Sequence, residues 1–346
     1  MKFKLIWFDS FGAKSSCTLV KTKDISILID PGIAIMHPSF PAPFAKKVYW
    51  KEKGKRRIIK AAKSTDVIVI SHYHWDHFLP NRLKIYENKV LFAKNPNEYI
   101  NDSQRARALE FFSRLWKKFG KREIDFQKQK KKEFKDVGEK LKSVKKKFGD
   151  YDERRKELLK KGKKWFLNRV KKWKKYKIVP QTKFSNLEII YPEGKEFKFG
   201  RTKIKFTFPL FHGIEYSRVG WVFSTVIEEK GEKLVHSSDL NGPIIEDYAE
   251  WIIRENPDYL ILDGPMTYML GYTLNLINLR RCIENVKKIV RKVNFKLLIW
   301  DHHLPREPKF REHTKEVWEL AKELDKKVLS ASEFELKRKP VVEELS

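Results

Sequence analysis

The stretch that most constrains this chain is Ser-His-Tyr-His-Trp-Asp-His at residues 71–77, which places three histidines and one aspartate within six positions. It follows residues 66–70, a short apolar run rich in β-branched side chains, which predicts a buried strand. The structural alternative is a histidine-rich surface loop, or a polar cap before a helix that begins near Pro80. One histidine would favour that alternative. Four ligand-type side chains at one strand end predict a metal site.

The spacing of these side chains predicts two points of convergence. In an extended or tightly turned backbone, side chains two positions apart project to the same side, so His72 and His74 converge on one point. Asp76 and His77 come after the chain turns, and we expect them to converge on a second point nearby. Imidazole and carboxylate ligands together suit Zn²⁺, with Fe or Mn as borderline competitors.

The charge balance of the chain suggests an acidic partner. It contains 75 Lys and Arg against 45 Asp and Glu, a net charge of +30. Nucleic acid is the first candidate for such a partner. A thermophile's surface rich in Lys and Glu is the alternative, and scarce Gln, Cys and Met support it. That alternative explains many of the charges but not the deficit of acids, so both interpretations stay open.

Length and local composition limit the class of protein. At 346 residues and 41.4 kDa the chain can bury a sizeable core, as one α/β domain with an insertion or as two domains. No window resembles a secretory signal, and no run of about 18 apolar residues predicts a membrane-spanning helix. Cys17 and Cys282 match no metal-binding spacing and need no partner. We therefore expect a cytoplasmic protein with reduced thiols.

The character of the sequence changes at residues 101–180, here called the insertion, which carries 30 Lys and Arg against 11 Asp and Glu, an excess of 19 positive charges. Apolar residues then recur with helical a/d spacing, which predicts an antiparallel helical hairpin that projects as an arm. The arm could grip an acidic polymer, mediate dimerisation or be only a solvated hairpin. Its aromatic residues could stack on bases, although filling the hairpin seam is the favoured interpretation; they are Trp116, Trp165, Trp173 and Tyr176.

The H-x-H-x-D-H pattern at residues 72–77, directly after a hydrophobic strand, resembles the signature of the metallo-β-lactamase superfamily of binuclear metallohydrolases. Three later segments resemble its further motifs: Phe-His-Gly at 211–213, His-Ser-Ser-Asp-Leu-Asn-Gly-Pro at 236–243 and Asp-His-His-Leu-Pro-Arg at 301–306. Together they most resemble an archaeal branch of predicted metallohydrolases. The resemblance implies an α/β fold, a four-layer αβ/βα sandwich formed by residues 1–100 and 181–346.

The resemblance also implies a ligand set for two divalent metal ions, with zinc expected and Fe or Mn as alternatives. The first ion is expected on one set of histidines: His72, His74 and His212. The second is expected on Asp76, His77 and either His302 or His303, with His302 preferred by register. Asp239 would bridge the two ions, although Ser238 and Leu240 depart from the Gly and Thr that many members have beside this aspartate.

Three further residues receive secondary roles. Asp30 is expected to support the metal loop rather than to bind metal, with a turn-forming aspartate before Pro31 as an equal alternative. His236 is expected to face the sheet or to orient a ligand. Arg306 is a candidate contact for an anionic group of the substrate.

The function implied is metal-dependent hydrolysis, with Asp76 and Asp239 as the catalytic candidates. Asp239 would bridge the ions and Asp76 could help to orient the nucleophile. The substrate stays open between a small ester, thioester or lactone and a phosphodiester. A nuclease that uses the basic insertion is the alternative, and a non-catalytic nucleic-acid-binding protein is a third possibility. We expect no membrane partner, and oligomeric state is not predicted.

Overall fold

The computed structural model of the chain describes residues 1–345, so that Ser346, the last residue of the predicted hydrolase domain, lies outside the described part. Strands from the first half of the chain form one seven-stranded sheet: Lys2–Phe8 (β1), Ser16–Lys21 (β2), Ser26–Ile29 (β3), Val67–Ile70 (β4), Lys89–Ala93 (β5), Thr182–Phe184 (β6) and Leu187–Ile190 (β7). Their spatial order is β1-β2-β3-β4-β5-β7-β6. Strands β3, β4, β5 and β7 are parallel, which brings their carboxyl ends to one edge.

The second half of the chain supplies the other strands: Glu196–Phe199 (β8), Thr202–Phe206 (β9), Leu210–Phe211 (β10), Trp221–Val222 (β11), Thr225–Glu229 (β12), Glu232–His236 (β13), Tyr259–Asp263 (β14), Leu297–Asp301 (β15) and Val328–Leu329 (β16). Seven of them form a sheet in the order β16-β15-β14-β13-β12-β9-β8, and β10 pairs with β11 separately. Strands β13 to β16 are parallel, so their carboxyl ends also share an edge.

Helices cover the two sheets on their outer faces. Their bounds are Phe44–Ala62 (α1), Asp102–Leu115 (α2), Asp152–Trp173 (α3), Glu246–Glu255 (α4), Leu276–Lys292 (α5), Phe310–His313 (α6), Lys315–Glu323 (α7), Ala331–Glu335 (α8) and Val341–Glu344 (α9). Helix α1 lies so close to β1 that a Cβ atom at Gly54 would stand 2.5 Å from the Trp7 ring. Helix α7 packs on β15 through Trp318 and Trp300, whose rings are 5.3 Å apart.

The two sheets face each other across one apolar core. Phe92 of β5 meets Phe206 of β9 and Phe197 of β8, with ring centroids 5.0 Å and 4.5 Å apart. Such aromatic pairs stabilise a core by roughly 0.5–1.5 kcal/mol beyond the area that they bury. Strand β4 is completely buried over its whole length, as expected for a parallel strand that is covered on both faces. The predicted αβ/βα sandwich is therefore confirmed.

The predicted hairpin of two helices in the insertion is wrong in its first half. Helix α2 ends in a single π-helical turn at Trp116–Gly120, and only two short 3-10 turns interrupt the irregular chain before α3. The amides of Lys142 and Ser143 both donate to the Asp247 carboxylate of α4, at 2.8 Å each. These tertiary hydrogen bonds replace the backbone bonds that a helix would have made.

The insertion does not project either, because it packs against the loop that follows β10. The apolar side chains that suggested helical spacing pack against a second hydrophobic cluster, here called the insertion cluster, whose buried members are Tyr99, Phe166, Trp173, Phe211, Tyr216, Trp221, Val222, Leu240, Ile245 and Tyr248. Trp116 and Trp173 are fully buried, and Trp165 stacks on Trp221 with ring centroids 5.4 Å apart. Trp165 and Trp173 thus belong to the interior of the insertion, whereas Trp116 belongs to the main core.

Two simpler expectations concern the cysteines and the membrane. Cys17 and Cys282 are both buried and unpaired. Within residues 1–345, no helix combines the length and the apolar composition that crossing a membrane requires.

Candidate metal centre

Strand β4 delivers the histidine-rich stretch to the edge where both sheets end, and Asp30 holds that stretch in place. Asp30 follows β3 in the left-handed region, with φ of 49°. Its carboxylate accepts hydrogen bonds from the Ser71 amide at 2.8 Å and from the Ser71 hydroxyl at 2.7 Å. It also lies 3.0 Å from His77 Nδ1. With Nδ1 donating to this carboxylate, the lone pair of Nε2 points away from Asp30 and is free to bind a metal ion.

The first group of ligand-type atoms combines His72, His74, His212 and Asp239, whose atoms lie within 4.8 Å of one another. His72 Nε2 is 3.1 Å from His74 Nδ1 and 3.4 Å from Asp239 Oδ2. His212, at the end of β10, places Nε2 3.1 Å from the same Asp239 oxygen. The two strand ends named in the sequence are therefore brought together with the histidine-rich stretch.

A second group, formed by Asp76, His77 and His302, adjoins the same carboxylate. His77 Nε2 is 3.2 Å from Asp239 Oδ2, whereas His302 Nε2 is 3.4 Å from Asp239 Oδ1. His302 Nε2 is also 3.9 Å from Asp76 Oδ2. Asp239 is thus positioned between two clusters of imidazoles.

Both histidines at the end of β15 reach this centre, and their surroundings differ. His302 Nδ1 lies 3.0 Å from Asp9 Oδ1, so its Nε2 is free to face Asp76 and Asp239. His303 Nε2 is 3.7 Å from Asp239 Oδ2, and its Nδ1 is 3.4 Å from Asp263. His302 groups with Asp76 and His77, as preferred from the sequence, while His303 groups with Asp239 and His302.

The residues present fit metal ions. Among residues 1–345, several buried polar atoms of the centre have no hydrogen-bond partner: Nε2 of His77, both ring nitrogens of His212, both carboxylate oxygens of Asp239, and Nε2 of His302. Buried polar atoms are nearly always hydrogen-bonded in folded proteins, so such a concentration of ligand-type atoms fits the binding of a metal cation. Imidazole nitrogens with carboxylate oxygens are the donor set of Zn²⁺, with Fe as a competitor.

Comparison with known proteins agrees with this arrangement. A model of the metallo-beta-lactamase superfamily matches residues 12–83. A UPF0282 protein from Korarchaeum cryptofilum is 30% identical over 328 residues, which cover 94% of this chain and 86% of the relative. The chain belongs to the UPF0282 family. A UPF0282 protein from Sulfolobus acidocaldarius is also 30% identical, over 96% of this chain and 87% of the relative. The predicted superfamily and its archaeal branch are confirmed.

Solved structures with the same fold also resemble this UPF0282 protein. An isothiocyanate hydrolase from Delia radicum gut bacteria has a TM-score of 0.45 at 12% identity, covering 95% of this chain and 96% of that one. The short form of human tRNase Z has a TM-score of 0.42 at 14% identity, covering 87% and 92%. Likenesses this distant say nothing about the substrate of the UPF0282 chain.

Two aspartates that support the centre of this UPF0282 protein were not predicted. Asp9 is completely buried and accepts hydrogen bonds from the Ser15 and His303 amides at 2.8 Å, besides holding His302. Asp263 ends β14 and accepts from the amides of Leu240 and Asn241, which flank the loop of Asp239. A carboxylate at the end of a buried strand was the available signal for Asp263. Asp9 follows β1 in a short 3-10 turn, for which the sequence carries no comparable pattern.

The two supporting aspartates differ in electrostatic state. Burial raises the pKa of Asp9, but Arg306 and His302 outweigh it and lower the pKa to about 2. Burial and the neighbouring Asp239 carboxylate raise the pKa of Asp263 well above its usual range. Asp9 is therefore the charged support of the centre, and the Asp263 carboxyl holds a proton more readily than Asp9 does.

Arg306 and His236 both lie in the interior. Arg306 is buried and its Nε donates to Asp9, while its terminal nitrogen Nη2 is 3.5 Å from Asp76 Oδ2. Nη2 has no hydrogen-bond partner among residues 1–345, so the contact of Arg306 with an anionic group of the substrate stays a prediction. His236 faces the sheet interior, with Nε2 3.0 Å from the Ser16 carbonyl oxygen.

Proposed function

We propose that this UPF0282 protein is a metal-dependent hydrolase with a binuclear centre, and that zinc is the metal. The observation that carries the proposal is Asp239: its two oxygens have no hydrogen-bond partner among residues 1–345 and lie between two separate clusters of ligand-type side chains. A carboxylate shared in this way is suited to bridging two cations.

The proposed ligands follow from the two clusters. One ion would be held by His72, His74 and His212, and the other by Asp76, His77 and His302. Asp239 would bind both ions. Bound metal ions of this kind make a water nucleophilic near neutral pH and polarise the group that is attacked. We place His303 beside Asp239 as an additional ligand or a substrate contact.

The chain's own side chains prepare the centre for this chemistry. The hydrogen bonds from His77 to Asp30 and from His302 to Asp9 fix which ring nitrogen of each histidine faces the centre. Asp76 is 9% exposed and Asp239 only 1%. Asp76 is therefore the carboxylate that a substrate and the attacking water can reach, and we assign it the orientation of the nucleophile.

The test combines metal content with hydrolysis of bis-p-nitrophenyl phosphate, on the wild type and on Asp239→Ala. Asp125→Ala is the control, because Asp125 is exposed on the insertion. We expect about two metal ions per chain, as a two-metal mechanism requires, and the loss of metal and activity only in Asp239→Ala. Metal without phosphodiesterase activity would direct the search to esters, thioesters and lactones. Protein that binds no metal when prepared without chelators would contradict the proposal.

A nucleic-acid phosphodiesterase is the second candidate, and the surface of the insertion favours it. Lys130 and Lys140 are exposed and form no ion pair with the described residues. Neutralising phosphates with such lysines makes affinity fall steeply with salt. We expect binding of single-stranded RNA to weaken between 50 and 200 mM salt, by about 10³-fold or more for six or more phosphate contacts.

The control for this second candidate distinguishes RNA binding by lysines of the insertion from RNA binding by positive charge elsewhere on the surface. Lys130→Gln with Lys140→Gln should weaken RNA binding, whereas Lys21→Gln with Lys198→Gln, which removes two exposed lysines elsewhere, should not. RNA binding without cleavage by metal-loaded protein would favour a non-catalytic binding protein. No binding at low salt would exclude nucleic acid.

A further inference from the structure

Arg107 of α2 lies beside the histidine-rich stretch. Its guanidinium carbon is 5.6 Å from the ring centroid of Trp75, the residue between His74 and Asp76. One turn earlier on the helix, the Gln104 side chain reaches to 3.4 Å from His74 Nε2. Helix α2 therefore forms one wall of the metal centre, and Arg107 is the cation on that wall.

The Arg107 side chain lacks a hydrogen-bond or ion-pair partner among the described residues. Its Nε is buried and has no acceptor within residues 1–345. Arg105, two residues earlier, shows the contrast: its guanidinium donates to the carbonyls of Pro96 and Lys177 and stacks on Tyr176. Burying a guanidinium nitrogen without an acceptor is costly, so Arg107 is not placed there by the needs of folding.

Lys14 is a second cation without a hydrogen-bond or ion-pair partner, on a different element from Arg107. Its backbone pairs with Ala34, and the next residue, Ser15, contacts both Asp9 and His302. The Lys14 ammonium forms no hydrogen bond or ion pair in the described part of the chain. Two cations thus border the metal centre from different elements, and neither is neutralised by an acid.

The electrostatic surroundings agree with this position. Burial and Arg306 lower the pKa of Lys14, and the Asp76 and Asp9 carboxylates oppose that shift. Burial also lowers the pKa of Arg107, against the attraction of Asp76. The charge of the Asp76 carboxylate, to which we assign the orientation of the nucleophile, therefore acts on both cations. Because Asp76 is a proposed metal ligand, it is not available to neutralise them.

We propose that Lys14 and Arg107 bind an oxyanion of the substrate, a phosphoryl or carboxylate group, next to the metal centre. The inference rests on the proposed hydrolase function and narrows it to anionic substrates. Two cations supplied by different elements suit a group with several acceptor oxygens, and charge-assisted hydrogen bonds of this kind are roughly twice as strong as neutral ones.

An open groove supplies room for the rest of such a substrate. Its volume is about 950 Å³, and Tyr268 forms part of its lining. The Tyr268 hydroxyl accepts a hydrogen bond from Arg306 at 3.1 Å, and its ring lies 5.6 Å from His37. Arg306, which also contacts Asp76, links the Tyr268 edge of the groove to the metal centre. An organic group of drug size fits a space of this volume.

The test measures binding without turnover by calorimetry, using phenylphosphonate, benzoate and benzyl alcohol, which share an aromatic ring and differ in charge. The variants are Lys14→Met, Arg107→Gln and, as conservative replacement, Lys14→Arg. Arg57→Gln is the matched control, because Arg57 also lies over a tryptophan, 5.9 Å from the Trp7 ring, but away from the centre. We expect each loss of charge at residue 14 or 107 to weaken anion binding about tenfold. Lys14→Arg should keep most of it.

The outcomes separate this inference from the proposed function. Metal content is measured on every sample, and the titrations are run on protein as purified and after dialysis against chelator. Tighter binding of phenylphosphonate would identify a phosphoryl substrate, and tighter binding of benzoate a carboxylate. Anions that bind no better than benzyl alcohol, or that lose no more affinity in Lys14→Met and Arg107→Gln than in Arg57→Gln, would overturn the inference. Absence of metal would overturn the hydrolase proposal instead.

Discussion

At the scale of single residues, the centre depends on hydrogen bonds that decide which atom of each histidine is available. Asp30 and Asp9 occupy equivalent positions in this respect: each holds one Nδ1 at 3.0 Å, of His77 and of His302 respectively. Neither aspartate faces Asp239. Their effect on the chemistry passes through the imidazole that they orient, so they are positioning residues.

This leads to a prediction for Asp30→Asn. An amide keeps the size of the side chain but is a weaker hydrogen-bond acceptor and carries no charge. His77 would therefore be held less firmly in its orientation and would be a less basic ligand. We expect one of the two metal ions to bind about 10–100-fold more weakly. Competition with a chromogenic chelator measures the two affinities.

Asp66→Asn is the matched control for that prediction. Asp66 also caps a loop, accepting from the Ser26 amide at 2.8 Å and the Ser26 hydroxyl at 2.6 Å, but it touches no histidine. Metal affinity should be unchanged in this variant. Equal losses in both variants would show that Asp30 acts on the fold rather than on His77.

At the scale of elements, one buried ion-pair network joins the insertion to the loop that carries His212. Glu215, three residues after His212, accepts from Arg155 of α3 at 2.8 Å and from Arg281 of α5 at 2.6 Å. All three side chains are buried. The insertion is therefore fastened directly behind a proposed metal ligand, and it acts as a wall of the site.

Breaking this network should lower the stability of the folded protein. Glu215→Gln removes the acidic partner of the buried Arg155 and one of the two carboxylates that pair with Arg281, the other being Glu246, and we expect a loss of about 3–5 kcal/mol in the free energy of unfolding. Urea denaturation measures it. Glu139→Gln removes an exposed carboxylate of the insertion that pairs with Lys163 at 2.6 Å, and should change stability little. Similar effects of the two substitutions would contradict the role assigned to Glu215.

The same network predicts a pH dependence. Burial raises the pKa of Glu215, but Arg281 and Arg155 outweigh it, so the folded pKa lies below the ordinary value. A carboxyl with a lowered folded pKa contributes stability above its unfolded pKa of about 4.3, and loses it as the pH falls through the folded pKa. The stability difference between wild type and Glu215→Gln should therefore be largest near neutral pH and shrink in acid.

At the scale of the whole molecule, the proposed metal ions connect the two sheets. His72, His74, Asp76 and His77 follow β4 of the first sheet, whereas Asp239 and His302 follow strands of the second. Removing the ions should lower the thermal unfolding temperature, since a ligand at about 1,000 times its Kd contributes about 4 kcal/mol. Differential scanning calorimetry with and without chelator measures this. Asp239→Ala should respond little to chelator, and an equal response would place the effect elsewhere.

Much of this architecture could be predicted because the ligands sit at strand ends. Short apolar runs reveal β4 and β15, and polar residues immediately after them lie at the sheet edge wherever the strands are parallel. His302 and His303 could not be separated in this way, since the choice depends on a left-handed backbone at both residues. Asp9 could not be found, because its partners lie about 290 residues away in the chain.

The insertion was the least predictable part for the opposite reason. Its apolar spacing is helical, but the structure uses those side chains to fill the insertion cluster from an irregular backbone. The interactions that compete with helix formation come from Asp247, which lies far along the chain, and no local sequence pattern predicts them. In the insertion, the periodicity of apolar residues predicts which side chains are buried, but it does not predict the conformation of the backbone that carries them.

The order of the ligands along the chain has a consequence for biosynthesis. His77 and His302 are separated by 225 residues, and every ligand after the histidine-rich stretch follows a strand from the second half of the chain. At a ribosomal rate of about 5–20 residues per second, roughly 11 to 45 seconds pass between the emergence of the two histidines. During that interval the nascent protein displays one completed sheet with its inner apolar face uncovered and half a metal site. Incorporation of the metal therefore belongs to the last stage of maturation, after translation has released the carboxyl-terminal strands.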